Sequence, residues 1–473
     1  MGSGFMNAPS KILAELWQDV GGEAAELGAV SLTGIEPALP SSFAVGSAAQ
    51  VSIAAVGLAA AELWRLRTGN RQRVAVDMRH AAAEFRSERL LSVNGQPARG
   101  FRDPLAGIYR CRDGGWARPH LTFPHHRDGI LRLLKCDPAG TDKDVLRDAF
   151  SRWDAETLEA DAAAAGLPLA ALRSFKEWDA HRQAAVIAGM PLVDIKRIGD
   201  APPEGARSHG DRPLSGVRVL ELARIIAGPV CGRALAAHGA DVLAVSAPYL
   251  PSVHQLAADM GRGKLSCFVD LRTSEGNSRL RSLIGGTDVF VQAYRPGALA
   301  ALGYGSDAVA AARPGIVYAE LSAWGWDGPW AGRRGYDSLV QTASGFNHAE
   351  AEMAGEDVPR ELPAQALDHA SGYLMALGIM RTLARRADEG GSWRVRVCLA
   401  RVGLWLRSLG RLQNGFSIID PEAAEMADLM EESASGFGRL NAVRHAARLS
   451  ETPARWIQPS VPLGTDPPVW PKL

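Results

Sequence analysis

Asp368 stands at the head of a long apolar run, ALDHASGYLMALGIM, in which Tyr373, Leu374, Leu377, Ile379, Met380 and Leu383 recur at helical spacing. A polar residue just before such a run is a helix-cap signal, and capping alone would account for it. The position also suits different chemistry. A carboxylate held beside the positive end of a helix, ionised and partly buried, can attack an activated acyl group. His369 follows at about 100° round the helix and is expected to pack or to face solvent. The pair His125-His126 has no third ligand near it in sequence, so it reads as a helix start and not as a metal site.

Composition bounds the choices. The 473 residues are enough for two or more domains, each with a core. The 52 basic side chains balance 52 acidic ones, which argues against a nucleic-acid partner. Cys111, Cys136, Cys231, Cys267 and Cys398 lie far apart with no CxxC pair, so neither a zinc site nor a disulfide framework is expected, and a reducing, cytoplasmic setting is. The opening MGSGFMNAPS reads as an appended tag ahead of Met6, with no signal peptide after it. The most apolar run, 51–64, carries Glu62 and is too short to span a bilayer, so no membrane partner is expected.

The elements that must position Asp368 follow in two textures. The first half reads as a short helix at 12–17, a Pro/Gly/Ser-rich loop and a helical stretch at 44–88. That stretch is broken by Thr68-Gly69-Asn70 and the strand RVAVDM. Residues 101–136 read as strand, turn, strand and helix, with Asp113-Gly114-Gly115 as the hairpin turn and Trp116 in a core. Two amphipathic helices are expected at 143–163 and 175–188. The Pro/Gly-rich DAPPEGARSHGDRP is the strongest domain boundary. Beyond it VRVLEL, ADVLAV, LSCFVDL, DVFVQAY and GIVYAEL alternate with helical segments. That alternation predicts an α/β fold with a doubly wound parallel sheet, which binds ligands at the carboxyl ends of its strands. A dinucleotide reading is weak. AGPVCG after the first strand lacks the G-x-G-x-x-G spacing, and Pro229 removes one N–H from the loop.

One unit occurs twice. AVGLAAAELWRLRTGNRQRVAVDMRHA around Gly57 matches ALGIMRTLARRADEGGSWRVRVCLARV around Gly378 without a gap. Arg73 falls opposite Arg394, Val76 opposite Val397, and Ser47 opposite Asp368. Only the second copy carries the carboxylate.

Six segments in order then carry a family resemblance: PLSGVRVLELARIIAGP, AHGADVLAV, GRGKLSCFVDLR, DVFVQAYRPGALAALGYG, GIVYAELSAWGWDGPWAGRRGYDSLVQTASG and ALDHASGYLMALGIM. Together they resemble family III CoA-transferases, the formyl-CoA and carnitine CoA-transferase type, over roughly 213–410. RVAVDMRHA, GIYRCRDGGWARPHLTF and EWDAHRQAAVIAGMPLV resemble the later part of the same family, placed ahead of the earlier part. The rotated order reads as that of a permuted or truncated-duplication member of the family. The resemblance implies a Rossmann-like domain plus a smaller α/β domain. The expected divisions are a helical segment with the degenerate copy at 1–100, the small domain at 101–200, a linker at 201–213, the CoA-binding and catalytic domain at 214–415, and an extension at 416–473.

It also implies transfer of CoA between an acyl-CoA and a free carboxylic acid, with Asp368 as the nucleophile that carries anhydride and thioester intermediates. Coenzyme A and acyl-CoA would be substrates, and no tightly bound cofactor is expected. Arg262, Lys264 and Arg295 match CoA-contact positions, and Arg224 is a fourth candidate. Ile225, Ile226 and Ala227 match a turn lining the acyl and pantetheine region. Gly335, Tyr336 and Asp337 match a loop near the nucleophile, with Asp337 expected as a structural hydrogen-bond acceptor. Relatives form interlocked dimers, so an interlocked homodimer sharing its active sites is the expected assembly. Two alternatives are an α-methylacyl-CoA racemase and a non-catalytic CoA-binding subunit. The racemase reading is weakened because the racemases read Gly-His-Asp where this chain has Gly335-Tyr336-Asp337.

Overall fold

The computed structural model describes residues 8–97, 102–205 and 210–471. The opening residues with the expected Met6 start, the boundary expected at residue 100 and residues 206–209 of the expected linker lie outside them.

In chain order the elements that matter are as follows. The first half supplies β1 (Val30–Thr33), α1 (Val45–Thr68), β2 (Val74–Asp77) and, after a small domain, β3 (Asp194–Gly199). The second half supplies β4 (Arg218–Leu222), α2 (Ala227–Ala237), β5 (Asp241–Ser246), β6 (Lys264–Phe268), β7 (Val289–Gln292) and β8 (Val317–Ser322). It continues with α3 (Asp337–Ala343), α4 (Ala366–Glu389), β9 (Ser392–Cys398) and β10 (Ala447–Leu449).

A seven-stranded sheet runs β6-β5-β4-β7-β8-β9-β3. Its strands are parallel except β3, which pairs antiparallel with β9. Val289–Gln292 and Val317–Ser322 are buried along their whole length, as a parallel sheet covered on both faces requires. Because β4 sits between β5 and β7, the sheet grows in opposite directions from it. The crevice at the carboxyl ends of β4 and β7 is therefore the expected ligand position.

The small domain is a three-stranded sheet of Tyr109–Arg110, Trp116–Pro119 and Leu169–Ala171 with helices around a separate core of Tyr109, Leu131, Phe150 and Leu158. The hairpin turn forms as the sequence suggests: Asp113 Oδ1 accepts the Gly115 N–H at 3.0 Å. Trp116 is half-buried beneath Arg110, not a core residue. The two long helices expected here are each broken. Asp154 precedes a second helix at Ala155–Ala164, and His181, in extended backbone, caps Arg182–Ala188 with its ring nitrogen.

α1 corrects a second expectation. It is long and apolar enough to cross a membrane by length and composition alone, but 94% of its most apolar window is buried inside the protein. It packs lengthwise against α4 at the centre of the molecule.

The duplication is visible in three dimensions. α1 and α4 are each 24 residues long, and the residues before them, Ala44 and Gln365, share φ −76° and ψ 60°. β1 pairs with β2 in parallel as β8 does with β9, and β2 takes an antiparallel neighbour, β10, as β9 takes β3. Gly57 and Gly378 let each helix lie directly on its own following strand. A Cβ on Gly57 would meet Val74 Cγ1 at 2.7 Å, and one on Gly378 would meet Val395 Cγ1 at 2.6 Å and Val193 Cγ1 at 2.8 Å.

Alanine at either glycine gains about 1 kcal/mol of helix propensity. It also forces overpacking that costs about 1–3 kcal/mol. Gly378→Ala meets two stiff valines closely and Gly57→Ala only one. Urea unfolding is therefore expected to show Gly378→Ala as the more destabilised variant, and equal stabilities would contradict this packing.

Candidate active site

Asp368 is the third residue of α4, within its first turn. The capping explanation for it fails in the structure, because another residue does that work. The Oδ2 atom of Asp337, at the start of α3, accepts the N–H groups of Leu367 at 2.8 Å and Asp368 at 3.0 Å. Its Oδ1 accepts from Gln341 Nε2. Gln341 Oε1 in turn takes the Leu362 N–H at 3.0 Å, which pins the loop leading into α4. Asp337 is thus the structural acceptor the sequence suggested. Asp368 is left with a carboxylate that accepts no hydrogen bond among the described residues and lines a cleft of about 320 Å³.

The first copy repeats the device with a different residue. Glu36 Oε1 accepts the Ser47 N–H at 2.6 Å, and Oε2 accepts the Ala38 N–H at 3.0 Å. Ser47 itself is buried, with its hydroxyl beside the Glu36 carboxylate.

The cleft lies at the carboxyl ends of β4 and β7, where the sheet order reverses. One wall is the turn from Arg224 to Gly228 leading into α2. Ile225 there has φ +76°, a left-handed conformation that a β-branched residue adopts only under strain of about 1–3 kcal/mol. The turn leads directly into α2, whose first residues, Ala227 and Gly228, line the cleft. Tyr294 and Arg295 follow β7, and Arg333, Arg334, Gly335 and Tyr336 precede α3. The opposite wall comes from the small domain through Phe123 and His125.

Burial raises the Asp368 carboxyl well above the usual range, and the neighbouring charges of Asp337 and Glu88 push the same way. Burial likewise raises Asp337, to about 6, against the hydrogen bonds it accepts. Tyr336 stacks on His120 with centroids 3.6 Å apart and rings 5° from parallel. Burial, then the Arg118 charge, depresses His120 to about 3, so this stack is neutral. Arg118 ties the small domain to the loop before α4 through Glu361 at 2.6 Å.

The sequence-derived candidates separate. Asp368, Arg224, Ile225, Ile226, Ala227, Arg295, Gly335 and Tyr336 come together in the cleft. Arg224 bridges it, donating to the Pro251 carbonyl with its guanidinium 4.5 Å above Phe123. Arg262 and Lys264 do not join it. Arg262 is buried, pairs with Asp259 at 2.8 Å, donates to the Val443 carbonyl at 2.8 Å and lies 4.1 Å over Trp456. Lys264 is buried against Glu221 at 2.8 Å and the Pro229 carbonyl at 2.7 Å, beside a second, adjoining cleft. Their charges are paired inside the protein, outside the lining of the Asp368 cleft where the resemblance would have them contact CoA. His369 packs inward, with Nε2 3.1 Å from Glu88, and His125-His126 begin the helix Pro124–Leu133. Phe123, His125, Arg333 and Arg334 were missed. The two arginines adjoin a segment already singled out. The small-domain pair lies too far away in sequence for any local signal.

With this geometry in view, comparison with known proteins is informative. Residues 214–422 match the sequence model of CoA-transferase family III. An acetyl-coenzyme A transferase of Hypoxylon pulicicidum is 33% identical over 210 residues, covering 43% of this chain and 35% of that one. A succinate–glutarate CoA-transferase of Agrobacterium fabrum is 33% identical over 198 residues, covering 38% and 49%. The crystal structure of a hypothetical protein from Mycobacterium tuberculosis is 33% identical over 42% of this chain and 57% of its own, with a TM-score of 0.39. The family match thus spans residues 214–422, the part of the chain that carries Asp368 and most of the cleft. The chain spans half or less of the length of the two curated relatives.

The Asp337 pKa gives a stability prediction. Its folded value, about 6, is raised above the ordinary 3.8. The group therefore contributes stability that is fully present below pH 3.8 and lost as pH rises through about 6. Asp337→Asn removes that titration. The stability difference between wild type and variant, from urea unfolding across this window, should shift in the variant's favour as pH rises. A constant difference would show that Asp337 is not buried as described.

Proposed function

We propose that the protein is a CoA-transferase that moves CoA between an acyl-CoA and a free carboxylic acid through covalent intermediates on Asp368. The observation that carries this reading is a buried carboxylate, relieved of helix capping by Asp337, that faces a cleft at the switch point of the sheet. The family match over residues 214–422 supports it.

The steps balance without any further reactant. The Asp368 carboxylate oxygen attacks the thioester carbon, the C–S bond breaks, and CoA leaves as thiolate. The thiolate then attacks the Asp368 carbonyl of the mixed anhydride, releasing the donor carboxylate and leaving an enzyme–CoA thioester. The acceptor carboxylate attacks that thioester, re-forming an anhydride, and the thiolate returns to the acceptor's acyl carbon. The burial and negative neighbours that raise the Asp368 pKa penalise its anion, and each covalent intermediate removes that charge. The same environment therefore favours acylation. Helix-start amides of α2 beside the cleft are placed to receive a developing oxyanion. Arg295, exposed at the rim, is the best placed of the four sequence-derived cations for a CoA phosphate. A racemase would need a second base across the α-carbon. Asp337 does not supply one, because its oxygens are committed to Leu367, Asp368 and Gln341.

Asp368→Asn is expected to fold, to bind CoA and to lose exchange by several orders of magnitude, because the amide forms no anhydride. Mass spectrometry after a hydroxylamine quench of the acylated wild type should place a hydroxamate on the peptide containing Asp368. A fully active Asp368→Asn would end the covalent reading.

The two kinds of arginine should also part. Arg295→Ala is expected to weaken CoA binding by about 1–3 kcal/mol with stability unchanged. Arg262→Ala, which breaks a buried pair, is expected to cost about 3–5 kcal/mol of stability. Calorimetric titration and urea unfolding of both variants test this, and the opposite pattern would return Arg262 to the CoA site.

A further inference from the structure

We infer that this single chain is a complete one-site catalytic unit, in which two copies of one unit have exchanged their closing strands within one polypeptide and only the second keeps a site. The word "site" rests on the transferase reading; the strand exchange does not.

The exchange is reciprocal. β3 ends the first half of the chain, yet it closes the second half's sheet by pairing with β9, with Ile195 opposite Val395 and Lys196 opposite Arg394. β10 ends the second half, yet it closes the first half's sheet by pairing with β2, with Arg448 opposite Ala75. Neither copy completes its sheet with its own later strand. The small domain obeys the same rule. It follows β2 in the first half, but its Phe123 and His125 face Asp368 of the second. The halves are further joined by buried polar contacts from the first half to α4: Glu84 with the Tyr373 hydroxyl, Glu88 with His369 and Glu62 with Arg381.

Among the described residues the first copy holds no equivalent site. Ser47 replaces the nucleophile, and Glu36 caps the helix in place of Asp337. β1 has β2 as its one neighbour among the described residues, where β8 has β7 and the rest of a large sheet. After β9 and its following helix, the hairpin Met430–Ser435 and Gly438–Val443 stands where the first half has its small domain. One cleft therefore has both walls and a carboxylate, and all of it comes from one chain. On this reading, the sharing of active sites expected between two chains takes place between two halves of one.

Cross-strand cysteines test this. Directly opposed residues of antiparallel strands lie about 4.5–5.5 Å apart at Cα, within disulfide range. Ala75→Cys with Arg448→Cys reports one exchanged strand, and Lys196→Cys with Arg394→Cys the other. None of these residues lines the cleft. After mild oxidation, non-reducing denaturing electrophoresis should show a one-chain species of altered mobility for both pairs. The oxidised single chain isolated by gel filtration should keep CoA exchange close to that of its reduced form. A two-chain covalent band, or failure of both pairs to close, would overturn the intrachain exchange. A closed but inactive single chain, whose reduced form is active, would overturn the one-chain unit. Absence of exchange in the wild type itself would fail the transferase reading instead, and the electrophoresis would still decide the topology.

Discussion

The site depends on one carboxylate doing another's work. A helix start leaves several N–H groups without partners, and an acidic residue near that start is ordinarily drawn back to satisfy them. Asp337 reaches across from α3 and takes two of those N–H groups, so Asp368 is not drawn back. It projects into a cleft with its lone pairs available. The cost is burial of two carboxyl groups, which raises both pKa values, that of Asp368 further through the charges of Asp337 and Glu88. A group whose anion is penalised and whose acylated form is neutral is suited to carrying an acyl group. The capping bond, the raised pKa and the availability of the Asp368 carboxylate are one arrangement.

The duplicated unit separates what that arrangement needs from what the fold needs. Both copies keep the helix length, the dihedral angles at its start, the glycine that seats it on its strand and an acid capping it from outside. These persist because a fully buried helix has no water to satisfy its first amides. What differs is the residue the cap sets free. With serine there, the unit keeps its packing and has no carboxylate to acylate.

Much of this was legible in sequence, and the limits were physical. Continuous apolar strands alternating with helices specify a covered parallel sheet, and VRVLEL, DVFVQAY and GIVYAEL behave accordingly. The repeat could be read because its strand, turn and glycine are local features. The fate of Arg262 and Lys264 could not. A basic residue in a loop has the same local appearance whether it meets a ligand or a buried acid, and Asp259 and Glu221 decide the matter through tertiary contact. Asp368 looked like a cap for the same reason, since its substitute lies 31 residues earlier in the chain. Phe123 and His125 reach the cleft only because the first half's small domain lies over the second half's sheet.

That last fact bears on why a copy without a nucleophile persists. Without the first half, β9 would be an open sheet edge and α4 would lose the apolar helix it lies against. Glu84 and Glu88 would no longer meet Tyr373 and His369, so the second half would hold buried polar groups without partners. The cleft would also lose the wall that Phe123 and His125 form beside Asp368. Every one of these demands falls on surfaces of the first copy other than position 47. Substitution at position 47 removes a reactive group while leaving those surfaces intact, whereas loss of the copy would remove them all at once.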